Sequence, residues 1–139
     1  MKTLKRRKTA IDTLLDTTYN LTVNHKIALY LETYIDCEIG AQKLIRFYKK
    51  DNGKLPPKTL FLPNIIKAAT YFDFPFDRDS IVRLFPGGEG RRGRKSPRQL
   101  RNAYVHAKRK RDSEEMLLNY DTHMALMRRF IDALRTTFQ

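Results

Sequence analysis

Apolar side chains recur every three or four residues along most of this chain, the spacing that lays a hydrophobic stripe down one side of an α-helix. The clearest stripe is the last: Met116, Leu117, Tyr120, Met124, Met127, Ile131, Leu134 and Phe138 predict a long final helix. Residues 24–50 predict another, with Asn24 as its cap and Ile27, Leu31, Tyr34, Ile35, Ile39, Leu44, Ile45 and Tyr48 on its apolar side. Asp51-Asn52-Gly53 supplies the stop, because Asn and Gly accept the left-handed backbone that ends helices. Residues 4–19 predict a first helix on Leu4, Ile11, Leu14, Leu15 and Tyr19, with Asp12 and Asp16 on another side.

Between these lie shorter elements. Leu55-Pro56-Pro57 marks residues 51–58 as a connection, and Phe61, Leu62, Ile65, Ile66, Ala69 and Phe72 predict a third helix that tolerates Pro63 in its first turn and closes at Pro75. Residues 77–85 predict a short helix on Ile81, Val82, Leu84 and Phe85. Residues 86–96 form a basic Gly-rich loop expected to be exposed and mobile. Ser96-Pro97 then starts a helix, with a hydroxyl acceptor followed by a ring whose φ is already helical. Asp112-Ser113-Glu114-Glu115 reads as a capping box that begins or re-phases the final helix. No strand pair, repeat or second domain is apparent. The expectation is one all-α domain over residues 1–139, an antiparallel helical bundle of four to five helices.

Composition narrows the function. A chain of 139 residues buries a core without metal or disulfide staples. Its one cysteine, Cys37, excludes an intramolecular disulfide and reads as a core filler, and the lack of Cys clusters argues against a metal site. With no apolar run near the ~20 residues that span a bilayer and no signal peptide pattern, a cytoplasmic location is expected. The net charge of +13 makes polyanions the default partners, nucleic acid ahead of a membrane.

The charge is concentrated. Residues 83–111 hold eleven Lys or Arg against the single acid Glu89. Inside this segment Arg101, Asn102 and His106 lie on one predicted helix, Asn102 and His106 on the same face. A guanidinium that holds phosphate beside an imidazole that titrates near neutrality can cleave RNA. His106 takes the 2′-hydroxyl proton, Arg101 stabilises charge on the phosphoryl oxygens, and Asn102 fixes the ring or touches phosphate. Arg91, Arg92, Arg94, Lys95 and Arg98 extend the phosphate grip before the motif, and Lys108 and Arg109 after it. His25 and His123 lack companions and read as structural or surface residues, and Tyr30, Tyr34, Phe47 and Tyr48 read as core.

Ser96-Pro97-Arg98-Gln99-Leu100-Arg101-Asn102-Ala103-Tyr104-Val105-His106, followed by an amphipathic helix through Met116, Tyr120, Met127, Phe130 and Ile131, resembles the C-terminal half of a HEPN domain. The resemblance implies a helical bundle that forms a homodimer and, in active members, a metal-independent endoribonuclease with no cofactor. Two Arg/His sets then meet across the dimer, and the second imidazole protonates the leaving oxygen. It also implies an acidic residue in the middle of the second helix facing the motif, here Asp36 or Glu38; Tyr104, by its place within the motif helix, is expected near the scissile nucleotide or the dimer seam. Members serve in phage defence, abortive infection or toxin–antitoxin pairs, so an acidic antitoxin is a possible partner. Lys108 stands where members modified by an antitoxin often carry tyrosine. A non-catalytic nucleic-acid-binding module and a protein-interaction module remain the alternatives.

Overall fold

The computed structural model describes residues 10–54, 61–91, 93–107 and 109–138, with side chains from Thr22 onward. These residues form six helices and no strand: α1 (Ala10–Asn52), α2 (Phe61–Tyr71), α3 (Arg78–Leu84), α4 (Pro97–Ala107), α5 (Lys110–Leu118) and α6 (Tyr120–Thr137). The all-α class holds, with six helices in place of the four to five expected. No described helix is long and apolar enough to cross a membrane.

Where two N-terminal helices are expected there is one, 43 residues long. Asn24 is an exposed interior residue of α1 and not a cap. The threonines that dilute the pattern cost only a few tenths of a kcal/mol each in helix propensity, and no Gly or Pro interrupts the chain before Gly40. The stripe α1 buries also differs from expectation. Tyr30, Tyr34, Cys37, Ala41 and Leu44 are fully buried, whereas Ile35 and Ile39 are 38% and 56% exposed. Their spacing of four, three, four and three keeps the buried set on one seam.

α1 and α6 run in the same direction, contrary to the antiparallel expectation. Tyr30 meets His123, Cys37 donates to the Met127 carbonyl, Gly40 lies against Leu134 and Phe47 stacks on Phe138, so contacts ascend together along both helices. α2 follows α1 likewise, from Phe61 beside Glu38 and Gln42 to Tyr71 against Tyr48 and Asp51.

The core is aromatic at its centre. Phe130 takes the edges of Phe74, Phe76 and Phe85 at centroid distances of 5.5, 5.1 and 5.0 Å, and Phe85 reaches on to Tyr34 and Phe61. Such edge-on pairs add about 0.5–1.5 kcal/mol each beyond the area they bury.

Local chemistry sets the ends that matter for the loop. α2 stops before Pro75: Asp73 takes φ 51°, Phe74 N–H bonds the Ala69 carbonyl and Asp73 N–H bonds that of Thr70, a Schellman closure with buried Phe74 as its apolar anchor. Asp77 caps α3 by accepting from the Ser80 amide and hydroxyl, and those bonds hold its carboxyl below the usual range. α4 begins at Pro97 as expected, through a capping box at Ser96 and Gln99. The Gln99 amide donates to Ser96 Oγ at 3.1 Å, and the Ser96 amide to Gln99 Oε1 at 2.8 Å. Asp112 to Glu115 is no such box, because α5 has already started at Lys110 and Asp112 lies buried within it. The predicted long final helix breaks at Asn119, whose side chain takes the Glu115 carbonyl.

Candidate functional site

The first turn of α4 also fastens the Gly-rich loop. Ser96 Oγ donates to the Pro86 carbonyl at 2.9 Å and Gln99 Nε2 to that of Gly87 at 2.7 Å. At the far end the Gly93 amide donates to Glu115 Oε1 at 2.7 Å, and Lys95 Nζ lies 2.9 Å from Asp112 Oδ1. Gly90, at φ 65°, passes so close to the Gln99 amide that a side chain there would collide. Its described residues from Gly87 to Arg94 are exposed as expected, but Lys95 and Ser96 are buried and the loop is tied down at both ends.

Between this loop, the outer face of α4 and the start of α5 lies an open cleft of about 680 Å³. Arg101, Asn102 and His106 all line it, together with Arg109, Arg111 and Glu89. Arg101 is half-buried, donates from Nη1 to Asn102 Oδ1 at 3.1 Å, and has its Nε buried with no partner among the described residues. His106 is exposed in the last turn of α4 and has no hydrogen-bond partner there. Asn102 thus holds the guanidinium and not the imidazole.

Several expected phosphate contacts have internal duties. Lys95 is buried on Asp112, which is 0% exposed and also lies 3.3 Å from Arg109 Nε. Burial pushes the Asp112 carboxyl up, but Lys95, Arg109 and Arg111 more than offset this and hold it below the usual carboxylate range. Arg98 donates to the Phe85 carbonyl and lies 4.7 Å from the Phe61 ring centre, so it braces α4 against the core. Arg91 and Arg94 are exposed, but they do not line the cleft of His106. Arg92 and Lys108 lie outside the described residues.

The supporting acids are also placed elsewhere. Asp36 is exposed, and Glu38 accepts from the Tyr34 hydroxyl at 3.2 Å in a groove shared with Arg98; neither lines the cleft of His106. Burial, with Glu38 beside it, keeps the Tyr34 hydroxyl protonated far above its ordinary range against the pull of Arg98 and Arg101. Tyr104 packs against the core. Cys37 is the core filler expected, its thiol pushed up by burial. Arg111 also lines the cleft, and no motif in the sequence singles it out. The signal that could have found this arrangement is Asp112, an acid that directly follows four cations.

His123 is structural, as expected. Its Nδ1 is 2.7 Å from the Tyr30 hydroxyl, and burial, opposed by Glu115, lowers its pKa to about 4. The unfolded chain takes up this proton near pH 6.5, while the folded chain refuses it until about pH 4. Stability is therefore full above pH 6.5 and falls as pH drops toward 4, by about 2–3 kcal/mol. Urea unfolding at pH 7.5 and 4.5 checks this, and His123→Gln is expected to remove most of the difference.

No family model matches the chain, and no curated protein or solved structure matches it.

Proposed function

We propose that the cleft binds RNA and cleaves it without a metal, by attack of a 2′-oxygen on the adjacent phosphorus. The observation that carries this reading is the convergence of Arg101, Asn102 and His106 on one open, cationic cleft. His106, exposed, accepts the 2′-hydroxyl proton as the O2′–P bond forms. Arg101, steadied by Asn102, directs its guanidinium to the phosphoryl oxygens, and its desolvated Nε strengthens that interaction. The P–O5′ bond breaks, and the leaving oxygen takes its proton from His106 of a second copy. Val105, 51% exposed beside His106, offers apolar surface for that copy. The products are a 2′,3′-cyclic phosphate and a 5′-hydroxyl. The motif's resemblance to HEPN domains supports the same chemistry and a setting in phage defence or a toxin–antitoxin pair.

One observation favours a non-catalytic binding module instead: no described residue orients the His106 ring. A substrate with a single 2′-deoxy nucleotide at the cleaved position decides between them. Cleavage is expected to stop at that position while binding persists, and the all-ribose product is expected to end in a cyclic phosphate with or without chelator. Equal cleavage of the deoxy strand would overturn the proposed chemistry, and binding with no cleavage of either strand would favour the module.

A further inference from the structure

A second basic cleft, of about 700 Å³, opens on the other side of the Gly-rich loop between α3 and α6. Arg83, Arg91, Arg94 and Arg129 line it, and among the described lining residues there is no carboxylate. Gly90, Lys95 and Gln99 line both clefts, so the fastened loop is their common wall. We infer that this second cleft holds the phosphodiester backbone of the same RNA strand, which crosses the wall at Gly90 on its way from His106. The inference rests on the RNA reading of the first cleft.

Two of the guanidiniums are held from behind. Arg83 Nη2 donates to Ser80 Oγ at 3.2 Å, and Arg129 Nη2 lies 3.3 Å from both Ser80 Oγ and Asp77 Oδ1 with its guanidinium over the Phe76 ring. Each has five N–H donors in a rigid fork, so most stay free for phosphate oxygens after these bonds are made. The Arg129 side chain is 55% exposed. Arg91 and Arg94 stand exposed across the opening. At the floor His123 spends Nδ1 on Tyr30, which leaves Nε2 as the ring's other polar atom. Held cations, no lining acid and continuity with the first cleft fit a polyphosphate strand better than an acidic polypeptide, whose carboxylates would have no reason to follow the wall.

The test compares a trinucleotide with a strand of about twelve nucleotides, both blocked by 2′-deoxy at the cleaved position, bound to the full chain over a range of salt. The long strand is expected to bind more tightly. Arg83→Gln with Arg129→Gln is expected to lower the ratio of long to short affinity about fivefold and to reduce the salt slope for the long strand by about 1.4, two single-strand phosphate contacts. Arg91→Gln with Arg94→Gln, at exposed positions, gives the same reading if the first pair fails to fold. An unchanged ratio in folded variants overturns the second cleft even where the wild type cleaves RNA. A ratio that falls in a protein that never cleaves RNA keeps the second cleft and removes only the chemistry of the first. Competition by a glutamate-rich peptide of equal charge, as strong as that of RNA, overturns the choice of ligand.

Discussion

Replacing His106 with alanine is expected to slow RNA cleavage by about 10²–10⁴-fold, the usual worth of a positioned general base, and to leave the fold untouched. The second half of that statement makes the first informative. His106 is exposed at the end of α4 with no hydrogen-bond partner among the described residues. Substitutions at such surface positions change stability by about 0.5 kcal/mol or less. A fall in rate therefore cannot come from unfolding. Arg101→Ala is less clean, because it also frees Asn102 and opens a half-buried position. Arg101→Lys is the sharper companion, since lysine keeps the charge but loses the planar fork and the Nε donor. Single-turnover cleavage with the protein in excess measures the proposed chemical step directly. Wild-type rates in both His106→Ala and Arg101→Lys would leave the cleft as a binding surface only.

The largest effect on stability is expected from Asp112→Ala, a loss of about 3–5 kcal/mol, because it strands the buried Lys95 ammonium without its counter-charge. For a chain of this size that lowers Tm by about 10–20 °C. Lys95 and Asp112 are 7% and 0% exposed at the side chain, so water cannot substitute for the missing carboxylate. Lys95→Met with Asp112→Leu is expected to recover most of the loss, since an apolar pair of similar volume incurs no such desolvation. The acid dependence has its own window. The folded carboxyl titrates below its unfolded value near 3.9, so its contribution is present above that pH and disappears as pH falls through the lower, folded value. That separates it from His123, which acts between pH 6.5 and 4. A loss under about 1 kcal/mol in Asp112→Ala, measured by urea unfolding at pH 7, would mean that Lys95 reaches solvent.

The helical class and the start of α4 were legible because both rest on local chemistry. Met116, Met124 and Met127 repeat at helical spacing whatever they pack against, and Ser96-Pro97 presents a cap and a preset φ within two residues. What was not legible depends on partners distant in sequence. Whether α1 buries Ile35 and Ile39 or the Tyr30–Tyr34–Cys37 seam is decided by α6, which brings Met127 and His123 to that seam. The direction of α6 relative to α1 rests on connections whose path no periodicity records. The same holds for the basic segment. Its charge was plain, yet Lys95 meets Asp112 and Arg98 meets Phe61 only in the folded chain, so cations read as one phosphate grip divide into braces and free groups. Arg101 and His106 line one cleft because six consecutive residues of a single helix suffice to bring them there.

The tethers at Gly87 and Gly93 have a use in protein engineering. Because the loop is secured to Gln99 and Glu115 by those two glycines' backbones, the stretch between them can be exchanged or lengthened without dragging α4 or α5, and each doubling of its length adds only about 0.6 kcal/mol of closure entropy. That makes it a graft point where the wall separating the two clefts can be reshaped on an unaltered scaffold, provided Gly90 is kept where it passes Gln99.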